Sequence, residues 1–188
     1  SKAGADRLAY SYFVTYGTPV VITRCSNNYG PNQYPEKMIP LFLTNAIDDE
    51  PLPVYGTGEN TRDWIYVIDH VKALRKVMNT DGIEGEVFNI GSGIELSILE
   101  VAAGILSALG KPDSLIRKVA DRPGHVQRHA VATGKIASRL GWKAEVDFTE
   151  GLGKTVDWYR DNRDWWEKIK SGEFKDYYRR MYKELHAE

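Results

Sequence analysis

The chain predicts an α/β fold, on three observations. Short apolar runs alternate with amphipathic stretches of helical spacing, and Gly and Pro stand at the joints between them. The first clear run, Val20-Val21-Ile22-Thr23, is uncharged and β-branched, as in a strand covered on both faces of a parallel sheet. In such sheets ligands gather beyond the carboxyl ends of the strands, so the segments after each run are where function is sought. The later elements are short and irregular enough to form a small lobe.

Ala5, Leu8, Ala9, Tyr12, Phe13 and Tyr16 recur at helical spacing and Gly17 supplies a stop, which predicts an opening amphipathic helix. The strand at Val20 follows after a short turn. Pro35-Glu36 is expected to open a second helix running to Ile47, with Pro at an N-terminal position and Glu on the favourable end of the dipole. Pro51 to Tyr55 reads as extended, Gly56 to Asn60 as a turn, and Arg62 to Val67 as a strand leading into a helix through Met78. Glu86 to Ile90 is a strand closed by Gly91-Ser92-Gly93. Ser97 with Glu100 forms a capping box for a helix to Leu109, ended by Gly110. A strand at Leu115 to Val119 precedes the turn Asp121 to His125. A short helix spans Thr133 to Leu140, Thr149 is expected to cap a longer one, and the aromatic, charged tail from Asp164 to Glu188 reads as a helix packed on the body.

The 188 residues are 42% hydrophobic and 27% charged, which suits a compact domain and excludes disorder. Lys plus Arg number 25 against 26 for Asp plus Glu, so no global field draws the chain to nucleic acid or an acidic membrane; any anion must be met by local charges. The single Cys25 excludes an internal disulfide framework and a cysteine-based metal cluster, and fits a reducing cytoplasm. His70, His125, His129 and His186 lack metal-ligand spacing, so no metal is assigned.

Four segments after apolar runs concentrate amides, cations, Gly and Pro. The first is Ser26-Asn27-Asn28-Tyr29-Gly30-Pro31. One Asn there would read as an Asx turn; two adjacent amides before Tyr-Gly-Pro point to ligand binding, because each amide is costly to bury unpaired. The second, Pro53-Val54-Tyr55, offers a flat aromatic to a base or sugar. The third is Arg62-Asp63-Trp64. Its guanidinium suits bidentate contact with phosphate, while the tripeptide alone is equally compatible with a surface Arg-Asp pair. The fourth, Asp121-Arg122-Pro123-Gly124-His125, presents a carboxylate, a guanidinium and an imidazole on one turn. An anionic, hydroxyl-rich ligand suits that mixture. The chain contains no glycine-rich dinucleotide turn, P-loop, nucleophile elbow or kinase signature, so it offers binding groups without a complete acid-base apparatus.

These motifs, in this order, resemble the C-terminal half of the extended short-chain dehydrogenase/reductase family of NAD-dependent epimerases and dehydratases. Within it they resemble the branch of dTDP-sugar 4,6-dehydratases. The resemblance is carried by Ser1-Lys2-Ala3, Cys25 to Pro31, Pro35 to Pro40, Arg62-Asp63-Trp64, Asn89-Ile90-Gly91, Asp121 to His125 and Gly151 to Tyr159. It implies the end of a Rossmann-like parallel sheet plus a small mixed α/β substrate-binding lobe. Residues 1–34 would be a remnant of the Rossmann domain and 35–188 mainly the lobe, with some segments returning to the sheet.

The implied reaction turns dTDP-glucose into its 4-keto-6-deoxy product by way of transient hydride transfer to NAD. Lys2 matches the Lys of a Tyr-x-x-x-Lys motif, which lowers the Tyr pKa and bonds the nicotinamide ribose. That Tyr, an Asp-Glu pair and the glycine turn would all precede Ser1, so the chain is expected to be a portion of a longer enzyme, inactive alone. Asn28 matches an amide near the nicotinamide and Asn27 one on the sugar nucleotide. Lys37 and Met38 match positions beside the nucleotide, Pro53, Val54 and Tyr55 the segment on the base, and Arg62 the diphosphate Arg. Asp121, Arg122, Pro123, Gly124 and His125 match the loop around ribose and phosphates, and Tyr182 a further substrate contact. Ser97 stands where the family often has Asn. A homodimer through the first helix is also implied. The alternatives are another nucleotide-sugar epimerase or decarboxylase, or a non-catalytic nucleotide-sugar-binding module.

Overall fold

The computed structural model describes residues 1–172 and Met181. In chain order its elements are α1 (Lys2–Tyr16), β1 (Ile22–Cys25), β2 (Asn27–Tyr29), α2 (Met38–Ile47), β3 (Leu52–Tyr55), β4 (Thr61–Tyr66), α3 (Val67–Met78), β5 (Val87–Ile90), β6 (Glu95–Ser97) and α4 (Ile98–Leu109). There follow a 3₁₀ turn at Asp113–Leu115, then β7 (Ile116–Val119), β8 (Arg128–His129), α5 (Gly134–Leu140), α6 (Phe148–Asp161) and α7 (Arg163–Ser171). The architecture is α/β, as predicted.

Three small sheets organise the described residues. β1 pairs in parallel with β5, aligning Ile22 with Val87, and β3 pairs in parallel with β7, aligning Tyr55 with Val119. β4 is the hub of the third, a mixed sheet: β2 and β8 lie parallel to it and β6 antiparallel. Because successive side chains of a strand point to opposite faces, β4 feeds two cores. Trp64 and Tyr66 join the larger cluster, built from α2, α4, α6 and α7, whereas Ile65 joins a smaller one with Ala73, Phe88, Ile90 and Ile136. α2 is buried from Ile39 to Ala46, which is why its sequence is apolar all round rather than amphipathic.

Several expectations are corrected. The second helix begins at Met38 rather than Pro35: Lys37, the residue before it, is extended (φ −78°, ψ 151°), and Glu36 pairs with Lys37 at 2.7 Å instead of facing the helix dipole. The first strand starts at Ile22, the one residue of it that is buried, and among the described elements it has a strand neighbour on one side alone, which leaves its other residues partly exposed. The amide knot, expected as a loop after the first strand, contains a strand of its own, β2. Asp147, not Thr149, caps α6, its carboxylate accepting from Glu150 N at 2.9 Å. β6 and β8 are too short to leave a periodicity and were not anticipated.

The opening helix ends at Gly17 as expected, in the left-handed conformation (φ 66°) that glycine tolerates. Its apolar stripe is split. Ala9 and Phe13 turn toward the body, while Leu8, Tyr12 and Tyr16 are 62%, 50% and 72% exposed. At the other end α7 is fastened to the body: Trp166 is fully buried and donates from Nε1 to Tyr159 O at 2.8 Å, and Asp48 takes both Arg163 (2.6 Å) and Lys170 (3.4 Å). The remainder of the predicted tail helix, with Tyr182, lies outside the described residues. Among the described residues no helix is long and apolar enough to cross a membrane.

Candidate functional site

The β2–β4 pair positions the first side chains. Its register sets Asn27 beside Trp64 and Asn28 beside Ile65. Strand alternation then sends the two amides to opposite faces. Asn27 lines a cavity of about 300 Å³. Asn28 turns the other way, where its Oδ1 is 2.8 Å from His70 Nδ1 and its Nδ2 donates to Ser26 O at 3.2 Å. Burial lowers the His70 pKa from the ordinary histidine value.

Arg62 lines the same cavity from β4 and is 8% exposed. Its guanidinium is held by carbonyls, donating to Thr61 O at 2.7 Å and Val126 O at 2.8 Å. Carbonyls orient a guanidinium without neutralising it. Burial and then the nearby Arg122 charge lower the Arg62 pKa, though arginine remains charged. The surface Arg-Asp pair is not made: Asp63, on the opposite face of β4, accepts instead from Ser92 N (2.9 Å), Ser92 Oγ (2.8 Å) and Gly93 N (3.4 Å), tying down the turn after β5.

The parallel β3–β7 pair brings the turn after β7 over Tyr55. Arg122 sits with its guanidinium carbon 5.8 Å from the Tyr55 ring centroid, and the His125 ring meets the same aromatic edge-on at 6.3 Å and 81°. Asp121 fastens the turn from behind, its Oδ1 lying 2.7 Å from His125 Nδ1 and accepting from Arg122 N at 2.8 Å. The His125 bond holds the Asp121 carboxyl below the usual carboxylate range. Glycine suits position 56 because its φ of 57° strains any side chain, and a Cβ there would also come within 2.9 Å of Asp121 Oδ2.

Eight of the predicted residues thus meet at one cavity: Asn27, Lys37, Met38, Pro53, Tyr55, Arg62, Arg122 and His125. The others fall elsewhere. Val54 alternates into the core and is fully buried. Ser97 is occupied by its capping box, its hydroxyl accepting from Glu100 N (3.1 Å) and donating to Glu100 Oε2 (2.7 Å). Asp121, Pro123 and Gly124 shape the turn rather than line the cavity, and Lys2 is exposed at the start of α1. Tyr182 is not described, although its neighbour Met181 is a lining residue.

Glu36, Leu41, Phe42, Trp64 and Ile98 also line the cavity and were not anticipated. The period of two along β4 carries a signal for Trp64, two residues after Arg62, and the helical period one for Leu41, three after Met38. Ile98 left none. Chemically, the described residues give the cavity three permanent cations. Lys37 is paired with Glu36, whereas Arg62 and Arg122 form no ion pair among the described residues. An aromatic ring beside two guanidiniums that form no ion pair among the described residues fits a ligand with a flat base and two negative charges.

Comparison with known proteins follows the same line. Residues 1–155 match the sequence model of the family described as GDP-mannose 4,6 dehydratase. A dTDP-glucose 4,6-dehydratase from Streptomyces niveus is 51% identical over 171 residues, 91% of this chain and 51% of that protein. The crystal structure of DesIV, a dTDP-glucose 4,6-dehydratase from Streptomyces venezuelae with NAD and TYD bound, superposes with a TM-score of 0.87 at 49% identity, covering 90% of this chain and 52% of that one. A UDP-glucose 4-epimerase from Thermotoga maritima with UDP-glucose gives 0.81 at 28% identity, over 86% and 52% of the two chains. The chain therefore spans about half the length of the curated relatives it matches.

Proposed function

The chain belongs to the GDP-mannose 4,6 dehydratase family, and from that membership we propose that it forms the substrate-holding part of a dTDP-glucose 4,6-dehydratase. Such an enzyme converts dTDP-glucose to dTDP-4-keto-6-deoxyglucose. The observation that carries this reading is the pairing of Tyr55 with Arg62 and Arg122 in one cavity, two guanidiniums that form no ion pair among the described residues beside an aromatic face. Arg62 and Arg122 hold the diphosphate, Tyr55 supports the base, and Asn27, with its amide at the far end of the same sheet face, bonds the hexose. The relatives at about half identity support dTDP-glucose over the GDP-mannose of the family's name.

NAD⁺ supplies the hydride acceptor when bound to such an enzyme. The residues of this chain directed to it are Lys2 and Asn28. Asn28 has the capacity: of its two amide protons one goes to Ser26 O, leaving a second donor. The parallel β1–β5 pair supports reading residues 1–34 as belonging with the cofactor-side sheet and 35–188 mainly as the substrate lobe. The exposed Leu8, Tyr12 and Tyr16, spaced four apart on one face of α1, support a homodimer through that helix. The lone cysteine fits a cytoplasmic setting.

Calorimetric titration of the chain with dTDP, dTDP-glucose and UDP tests the reading. The expected result is a preference for the dTDP ligands and a loss of about tenfold or more in affinity on Arg62→Ala, the range for a hydrogen bond to a charged group. Affinity untouched by that substitution would remove Arg62 from the site.

A further inference from the structure

One polar group in the cavity wall is unaccounted for. Trp64 lines the cavity at 6% exposure, and its indole Nε1–H is buried with no hydrogen-bond partner. The fold pairs the N–H of another buried indole, Trp166, with Tyr159 O. An orphaned buried N–H is disfavoured, and an indole can donate but never accept, so what is missing is an acceptor. The neighbours show where it belongs. Trp64 stands two residues after Arg62 on β4, hence on the same face, and its register partner on β2 is Asn27, whose side-chain amide has no partner among the described residues. Three donors of different kinds, an amide, an indole and a guanidinium, therefore follow one another along one sheet face.

We infer that Trp64 is a specificity-determining contact, its indole N–H donating to an oxygen of the bound glycosyl diphosphate between the positions held by Asn27 and Arg62. This rests on the reading of the cavity as a sugar-nucleotide site. The indole and the guanidinium can only donate, while the Asn27 amide can donate or accept, so at the Trp64 and Arg62 positions the row accepts a ligand whose oxygens are unprotonated phosphoryl oxygens or hydroxyls turned to accept. At those two positions it disfavours an amine or any other obligate donor.

The test follows the five tryptophan indoles of the chain by ¹H–¹⁵N correlation during titration with dTDP and with dTDP-glucose, the Trp64 signal being identified by its loss in Trp64→Phe. The expected result is a downfield move of the Trp64 indole proton on saturation, while that of Trp166 stays in place. A move with dTDP assigns the acceptor to the diphosphate, and one confined to dTDP-glucose assigns it to the hexose. Trp64→Phe keeps an aromatic side chain, smaller than the indole, and removes the donor, and is expected to weaken dTDP-glucose binding about tenfold. Binding by the wild-type chain with no movement of the Trp64 proton overturns the proposal and leaves the cavity reading intact, and does so even if Trp64→Phe folds poorly. No binding of either nucleotide by the wild-type chain overturns both.

Discussion

His70 Nδ1 lies 2.8 Å from Asn28 Oδ1, across the junction of α3 and β2. The amide oxygen accepts, so the imidazole donates from Nδ1, and burial keeps the ring neutral below the pH at which a free histidine charges. The folded pKa is lowered, so on acidification the unfolded chain takes up a proton before the folded one does. Stability assigned to His70 is thus intact above about pH 6.5 and declines as the pH falls through the interval below it. Urea titrations at stepped pH are expected to show that decline in the wild type and a shallower one in His70→Gln.

Gly151 sits in the first turns of α6, where alanine would ordinarily favour the helix by about 1 kcal/mol. Here packing decides otherwise. A Cβ would press against the Tyr29 hydroxyl, lie 3.0 Å from Tyr29 Cζ and 3.2 Å from Tyr66 Cδ2. Gly151→Ala is expected to destabilise the chain by about 1–3 kcal/mol, the range for overpacking. A raised melting temperature would show that the tyrosines yield.

Ser97→Ala separates two roles of one residue. The capping box predicts a loss of about 1 kcal/mol in stability. Because the hydroxyl is turned into that box, dTDP affinity should be unchanged at a temperature where the variant is folded. A loss of affinity with stability preserved would move Ser97 from the helix cap to the ligand.

Trp166 anchors α7 through burial, the Nε1 bond to Tyr159 O and the flanking cations of Arg163 and Lys170, 5.0 and 5.5 Å from its ring. Trp166→Ala is expected to cost about 3–5 kcal/mol by chemical denaturation. Asp48→Asn, which leaves the aromatic in place, should cost about 1 kcal/mol, since Asp48 and its two partners all keep part of their side chains in solvent.

What the sequence made legible was the chemistry of each loop; what it concealed was orientation. Arg62, Tyr55 and Arg122 could be singled out because a cation or aromatic after an apolar run has few structural uses. That Asn27 faces the cavity and Asn28 faces His70 follows from pairing with β4, a strand more than thirty residues away in sequence. Val54 shows the same limit, since a residue between two cavity-lining neighbours on a strand points into the core. Trp64 was within the motif and overlooked as a ligand group because an indole on a strand reads first as packing. Glu36 was read as a dipole partner because Pro35 suggested a helix start that Lys37 postpones.

The pairing of β2 with β4 also explains how two identical neighbours keep different duties. Slip β2 by one residue and the two amides would exchange faces, Asn28 turning to the cavity side of the sheet and Asn27 to the side of His70. Tyr29 forbids it. The slip would carry a fully packed ring, tilted against Tyr66 and Phe148 at 5.7 and 5.1 Å, out of the core and onto the opposite face. The aromatic that follows the doubled amide acts as a proofreader of alignment, so a lesion at Tyr29 is expected to blur the identity of the two asparagines before it touches either of them.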